Sequence, residues 1–198
     1  MLKEWYHYTV VFQGRQRLYY SQYMNTFSHR VQNLRRKINE ALNGANSSAL
    51  EKGIYISVGN WDKTAGNFFN YSDLVLHSHF CLVIAGDMVW SYRLMDVMSA
   101  GCIPVIVANG WTLPFENLID WKNYVLFIDE NLIINMDADA LLHFLWNSSQ
   151  TKYLLDQFNG NICLWHLRIW NLYKDFFSSF SLVVDRMLQS IDLKLAKK

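Results

Sequence analysis

The sequence predicts an α/β domain with a mostly parallel sheet and helices on both faces. Short apolar runs alternate along the chain with segments of helical period. The strand-like runs are continuously apolar rather than alternating, as expected where both faces of a strand are covered. The 198 residues, 52% apolar and 18% charged, suit one domain over residues 1–198 with a sizeable core.

Taken in order, Tyr8–Phe12 (YTVVF) reads as the first strand, ended by Gly14 and a basic turn with Arg15 and Arg17. From about Asn25 to Leu42, the residues Phe27, Val31, Leu34, Ile38 and Leu42 recur at helical spacing, with Arg30, Arg35, Arg36 and Lys37 around them. Asn43-Gly44 is the C-cap of that helix, and Ala45–Ser48 is a loop. Gly53–Val58 is a second strand, and the polar Gly59–Asn70 is a loop. Tyr71–His79 is a helix with Ser72 as N-cap, and Phe80–Ile84 a strand. Tyr92–Ala100 is a helix ended by Gly101, followed by a strand at Ile103–Val107 that tolerates Pro104 near its start. Val125–Ile128 gives the weakest strand signal. Asp137–Trp146 and Thr151–Phe158 are helices, and the tail from about Cys163 to Lys194 reads as one or two amphipathic helices.

Composition narrows the function. A net charge of +1 gives no reason to invoke nucleic acid or an acidic membrane. No apolar run approaches the roughly 20 residues that span a bilayer. The first residues lack the pattern of a signal peptide, so the chain as written reads as soluble. Cys81 and Cys102 lie in apolar runs and read by default as small buried thiols; with Cys163 the odd count cannot pair fully, and a disulfide is possible but not indicated. His77 and His79 point to opposite sides of an extended segment, which disfavours a metal pair. Asp137-Ala138-Asp139 fits the letters DxD, but lies where acidic residues start a helix. No metal ligands are therefore assigned. His143 and His166 read as packing residues. Asn46-Ser47-Ser48 and Asn147-Ser148-Ser149 match the glycosylation sequon. The high aromatic content reads as an aromatic core, with sugar-stacking or interdomain surfaces as the other use of some Trp and Tyr residues.

The chemistry concentrates between Phe80 and Trp121. Gly86 follows a strand directly, where glycine allows a ligand close to the backbone. Neither GxGxxG nor GxxxxGK[ST] is present, so neither a dinucleotide fingerprint nor a P-loop is supported. Ser91 and Arg93 stand at a helix start, where free N–H groups and a planar guanidinium suit phosphate oxygens. Asp96 lies one turn on, on the same face. By spacing alone it is equally an ion-pair partner of Arg93 or a carboxylate for ribose hydroxyls.

The order Ser91-x-Arg93-x-x-Asp96, then Ala100–Val105 (AGCIPV), Leu113–Phe115 (LPF) and Asp120-Trp121 resembles the exostosin family of glycosyltransferases, family 47. The preceding Phe80–Leu82 (FCL), the opening YTVVFQGR and the aromatic tail fit the same resemblance. It implies a Rossmann-like α/β/α sandwich, the C-terminal half of a GT-B fold, which holds a UDP-sugar. The N-terminal acceptor lobe, or a related transferase subunit, would be the partner. Carried over by motif, Gly86, Ser91, Arg93 and Asp96 are the donor-binding residues, with Arg93 on the diphosphate and Asp96 on the ribose. No cofactor or metal is implied, and no catalytic residue is assigned. The implied reaction transfers glucuronic acid, galactose, xylose or arabinose to a glycan or proteoglycan acceptor with inversion, in the Golgi lumen for a full-length member. The alternative is a non-catalytic nucleotide-sugar-binding scaffold or a fragment of a larger transferase. Ile84 replaces the family's usual proline before the turn. Gly86-Asp87 leans towards plant members and NGWTLPF towards animal ones, which leaves the sugar open.

Overall fold

The structure is a computed structural model that describes residues 8–15, 26–43, 48–59, 70–85, 89–117, 119–156 and 167–175. Five parallel strands form one sheet in the order β2-β1-β3-β4-β5. They are β1 (Tyr8–Arg15), β2 (Ile54–Gly59), β3 (Ser78–Ile84), β4 (Ile103–Val107) and β5 (Leu126–Phe127). The helices are α1 (Thr26–Asn43), α2 (Ser48–Glu51), α3 (Tyr71–Leu76), α4 (Arg93–Ser99), α5 (Glu130–Ile133), α6 (Ala138–Asn147) and α7 (Ser149–Asp156). Residues 167–175 are also helical. This is the predicted α/β class, with a Rossmann-like parallel sheet.

Parallel neighbours require crossovers, and the helices supply them. α1 packs on β2, α3 on β1 and β3, and α4 on β3 and β4. All five residues of β4 and all but one of β3 are buried, so both faces of the central sheet are covered. Phe12, Phe80, Leu82, Ile84 and Ile106 are among the largest side chains fully enclosed there.

Several expected boundaries move, each for a visible reason. β1 does not end before Gly14, because the ladder to β2 continues through Gly14–Val58 and Arg15–Gly59. The helix expected over Tyr71–His79 stops at Leu76, and its N-cap is Asn70, whose Oδ1 accepts from the Ser72 N–H at 3.2 Å. His77 caps its C-terminus, so His77 and His79 do not share an extended segment. Ser78 pairs with Tyr8 and begins β3, while its hydroxyl donates back to the Leu74 carbonyl. The short helices α2 and α5 were not anticipated. Asp137 accepts from the Ala140 N–H at 2.8 Å, so the DxD letters do mark a helix start. His143 is exposed rather than packed. His166, Cys163, Arg17, Gly44, Asn46 and most of the loop expected over 59–70 lie outside the described residues, as does most of the tail. Among the described residues, no helix is long and apolar enough to cross a membrane.

The largest correction concerns Cys81 and Cys102, which are not free thiols but a disulfide. The cause is register. Phe80 pairs with Ile103, which places the next residue of β3 and the residue before β4 with Cα atoms 6.0 Å apart. Both cysteines are within 1% of full burial. Disulfides persist in oxidising compartments. Closing 21 residues of chain corresponds to about 3 kcal/mol of denatured-state entropy. The double variant Cys81→Ala/Cys102→Ala is expected to lose about that much stability, measured by urea unfolding without reductant. The parent in strong reductant should approach the same midpoint.

His79 supplies a second test. Its Nδ1 lies 3.3 Å from the Tyr8 carbonyl, and its ring meets Trp146 edge-on at 5.6 Å. Burial pushes its pKa down, partly offset by the Tyr8 carbonyl. The unfolded chain therefore takes up a proton near pH 6.5 while the folded chain does not. This contribution costs nothing above that pH, and stability declines as the pH falls from about 6.5 towards the depressed folded value. His79→Phe should flatten the slope of unfolding free energy between about pH 7 and 5. An unchanged slope would assign the pH dependence to other groups.

Candidate functional site

The strand order reverses between β1 and β3, because β2 lies on one side of β1 and the rest of the sheet on the other. In open parallel sheets, ligands occupy the crevice at the carboxyl ends of the strands flanking such a reversal. Here those ends are Gln13–Arg15 and Ile84–Ala85.

Phe12 forms the floor of this corner. It is 1% exposed, and its ring leans along the strand over Gly14, where an added Cβ would stand 2.6 Å from the ring's Cζ. The Arg93 guanidinium sits 4.7 Å from the centroid of that ring and 5.0 Å from the centroid of Tyr71. Arg93 Nη2 donates to the Gln13 carbonyl at 2.5 Å. Arg35 of α1 lies 5.9 Å from the Phe12 centroid, and its Nη2 donates to the Ala85 carbonyl at 2.7 Å. Two cationic forks from two helices thus hold the main chain at the ends of β1 and β3.

Burial lowers the pKa of Arg93, and the nearby Tyr71 and Asp96 oppose that shift. A guanidinium nevertheless keeps its charge in proteins. The same burial pushes the Tyr71 phenol up, against the adjacent Arg93 charge. The Arg93 charge and a hydrogen-bond contact with the guanidinium oppose that rise, although the hydroxyl has no partner of strict hydrogen-bond geometry among the described residues. Asp96 is exposed, one turn along α4, and no ion pair within 4 Å joins it to Arg93 among the described residues. The simple helix ion pair weighed for these two residues is therefore not formed. Among the described residues, the Arg93 side chain makes one hydrogen bond of good geometry, to the Gln13 carbonyl, with the Tyr71 hydroxyl as a further contact, so most of its five donors remain unused there.

The Ser91 hydroxyl accepts from the Arg93 N–H at 3.3 Å and so fixes the entry to α4. Since α4 has only seven residues, Arg93 carries the anion argument rather than the helix end. The structure thus brings Ser91, Arg93 and Asp96 to one end of α4, while Gly86 lies outside the described residues. Sequence reasoning missed Phe12, Gln13, Arg35 and Tyr71. The one available signal was Gln13, a polar residue directly after the apolar run Val10–Phe12.

The loop after β4 closes on itself. Trp121 Nε1 donates to the Pro114 carbonyl at 2.8 Å, which joins the LPF segment to Asp120-Trp121. Asp120 caps the following turn through the Lys122 N–H at 3.3 Å. Asn109 fastens the loop's start to α5, with its N–H on Glu130 Oε1 at 2.8 Å and its Nδ2 on Asp129 Oδ2 at 2.7 Å. The Asn109 amide, with the Asn131 and Leu132 N–H groups, holds the Asp129 carboxyl below the usual carboxylate range. Trp111, Leu113, Glu116, Asp120 and Phe127 line an open groove of about 500 Å³ beside this loop.

Residues 5–143 match the Exostosin GT47 domain. Exostosin-1 of Drosophila melanogaster is 30% identical over 119 residues, covering 60% of this chain and 15% of that protein. Exostosin-1c of Danio rerio is 41% identical over 98 residues, covering 48% of this chain and 13% of that protein. Exostosin-1 of Bos taurus is 32% identical over 77 residues, covering 39% and 10%. The chain therefore spans a small part of the length of the relatives it matches. With the family domain covering most of the chain and a parallel sheet whose reversal point carries Arg93, the protein belongs to the Exostosin GT47 family of glycosyltransferases.

Proposed function

We propose that this chain is the donor-binding lobe of an exostosin-type transferase, equivalent to the C-terminal half of a GT-B fold, and that it holds a UDP-sugar at the β1–β3 corner. The observation that carries the reading is Arg93. It is a half-buried cation at the reversal point with donors to spare and no carboxylate in ion-pair contact among the described residues. A charge taken out of water in this way favours an anionic partner. Arg93 would take the diphosphate and stabilise the charge that develops on UDP as the sugar leaves. Asp96, free of Arg93 and exposed one turn away, would accept the ribose hydroxyls. Gly86 and Ser91 would shape the turn around the phosphates.

The sugar is one of glucuronic acid, galactose, xylose and arabinose, transferred to a glycan or proteoglycan acceptor with inversion. An inverting displacement needs a base about 2.6–3.2 Å from the acceptor hydroxyl. In this reading the base comes from the cleft with the acceptor lobe or a partner subunit. The Cys81–Cys102 disulfide supports a lumenal setting such as the Golgi.

Arg93→Ala should weaken UDP by about 10- to 150-fold, the equivalent of a charge-assisted hydrogen bond of roughly 1.5–3 kcal/mol, and weaken uridine little. Asp96→Asn should weaken uridine and UDP together and 2′-deoxy-UDP much less. Titration calorimetry on the two variants separates the roles, since a misfolded chain loses every ligand at once. Equal losses of all ligands in both variants, or no loss in either, would sink the assignment.

Nucleotide binding should be independent of divalent metal, because the proposed counter-charge is Arg93 rather than a bound cation. The comparison is UDP affinity in EDTA against magnesium or manganese. Binding seen only with metal would overturn the role given to Arg93.

A further inference from the structure

The glycosylation sequon Asn147-Ser148-Ser149, followed by Gln150 rather than proline, has no part in the donor site. It straddles the junction of two helices, with Asn147 ending α6 and Ser149 opening α7. Leu141 and Leu145 form the buried stripe of α6. Asn147 stands two residues beyond Leu145, about 200° round the helix, and is exposed. Ser149 is exposed as well. The fold uses only the middle residue of the three. Ser148 leaves helical geometry (φ −61°, ψ 145°), and its hydroxyl accepts from the Thr151 N–H at 3.0 Å. Its N–H donates to the Phe144 carbonyl at 2.9 Å, and its carbonyl accepts from the Lys152 N–H at 3.0 Å. Among the described residues, no hydrogen bond engages the side chain of Asn147 or of Ser149. Trp146 meets His79 and Phe80 of β3 edge-on at 5.6 and 5.0 Å, which anchors the end of α6. Ser149 also lines an open depression of about 720 Å³ with Asp120, Lys122, Phe127, Gln150 and Tyr153, so the surface beside the sequon has room for sugar rings.

A sequon is a substrate only where the chain meets the glycosylation machinery, and that machinery works in the secretory pathway, where disulfides also form and persist. The Cys81–Cys102 disulfide is therefore a second, independent pointer to the same compartment. We propose that Asn147 is an N-glycosylation site, which takes an oligosaccharide from a lipid-diphosphate-linked donor. Asn147 Nδ2 forms a bond to the anomeric carbon of the first sugar. The bond from that carbon to the diphosphate oxygen breaks, the lipid diphosphate leaves with the electron pair, and one amide proton is released. The Ser149 hydroxyl engages the Asn147 amide while transfer takes place on the nascent chain. The fold must then leave the product outside, and the exposure of both residues meets that condition. The proposal rests on the lumenal setting given above and is independent of the donor site. Asn46 lies outside the described residues, so the other sequon carries no such argument.

The test is the full chain carried by an added leader into the lumen of a eukaryotic secretory pathway. It is read on denaturing gels before and after an amidase that removes N-linked glycans, and by mass spectrometry of the peptide that spans Asn147. The parent should carry a glycan on that peptide, and the amidase should remove a step in mobility. Asn147→Gln and Ser149→Ala should each abolish that step, the second while leaving the asparagine in place. Ser149→Thr should keep it or raise its occupancy, and Asn46→Gln should leave it unchanged. Denaturing gels read the modification whether or not a variant folds. An unmodified Asn147 in a chain whose Cys81–Cys102 disulfide has formed overturns the proposal and leaves the lumenal reading standing. An unmodified chain whose cysteines stay reduced in the lumen takes the lumenal reading down as well. UDP titration of the same samples reads the donor site separately, and Asn147→Gln should bind as the parent does.

Discussion

The hydrogen bond from Arg93 to the Gln13 carbonyl joins parts of the chain 80 residues apart, and the geometry of the site depends on it. Arg93 opens the helix between β3 and β4, while Gln13 lies near the carboxyl end of β1. Arg35 makes the reverse connection, reaching from the helix after β1 to Ala85 at the end of β3, 50 residues away. Each crossover helix therefore braces the strand of the other unit. This is possible only because β1 and β3 are neighbours in the sheet although β2 separates them in the chain. In net stability such braces are close to neutral. A charge-assisted hydrogen bond gives about 1.5–3 kcal/mol and a cation–π contact about 0.5–2, against several kcal/mol to desolvate a guanidinium. What they fix is position: the ends of two strands and the direction of two cationic forks.

Phe12 and Gly14 make that position attainable. The aromatic face under Arg93 offers a surface that a weakly hydrated guanidinium accepts. The ring reaches it by lying over residue 14, where a Cβ would be 2.6 Å from its tip. Glycine at this position thus serves packing. It is read in the sequence as a strand terminator, yet the ladder runs through it to Arg15.

The sequence made the architecture legible because the signals for it are local. Ile103–Val107 is a continuous apolar run between Gly101 and a polar loop, and β4 has those bounds. The helix of α1 was visible in its apolar spacing, to within one residue at each end. What escaped depends on contacts between distant segments. The disulfide follows from the register of β3 on β4, which a spacing of 21 residues does not reveal. Arg35 read as one of several basic residues around an apolar stripe, and only the strand order shows that it reaches Ala85. β5 is two residues long and exists by pairing with Val105 and Ile106 rather than by any strong pattern of its own. At the site, Ser91, Arg93 and Asp96 were legible as a motif. Their neighbours Phe12 and Tyr71 were not, because an aromatic residue beside a cation looks the same in sequence as one in the core.

The disulfide and the site are linked by topology. Cys81 and Cys102 enclose the stretch of chain that contains Gly86, Ser91, Arg93 and Asp96, together with all of α4. The loop that would receive the phosphates is therefore closed covalently, at the entry to β4 and one strand position from Phe80. In the denatured chain this restricts the segment, and in the folded chain it fixes the separation of the two ends between which α4 must fit. A short helix of seven residues has little stability of its own. Here it is held by the closed loop, by Leu94, Val97 and Met98 buried beneath it, and by the Arg93 brace to β1. The net charge of the whole chain is only +1, so no broad positive field draws anions to the corner. On the donor-site proposal, recognition would then come from close contact, which depends on the Arg93 donors being held in place before a ligand arrives. The disulfide, the buried face of α4 and the bond to Gln13 together meet that requirement.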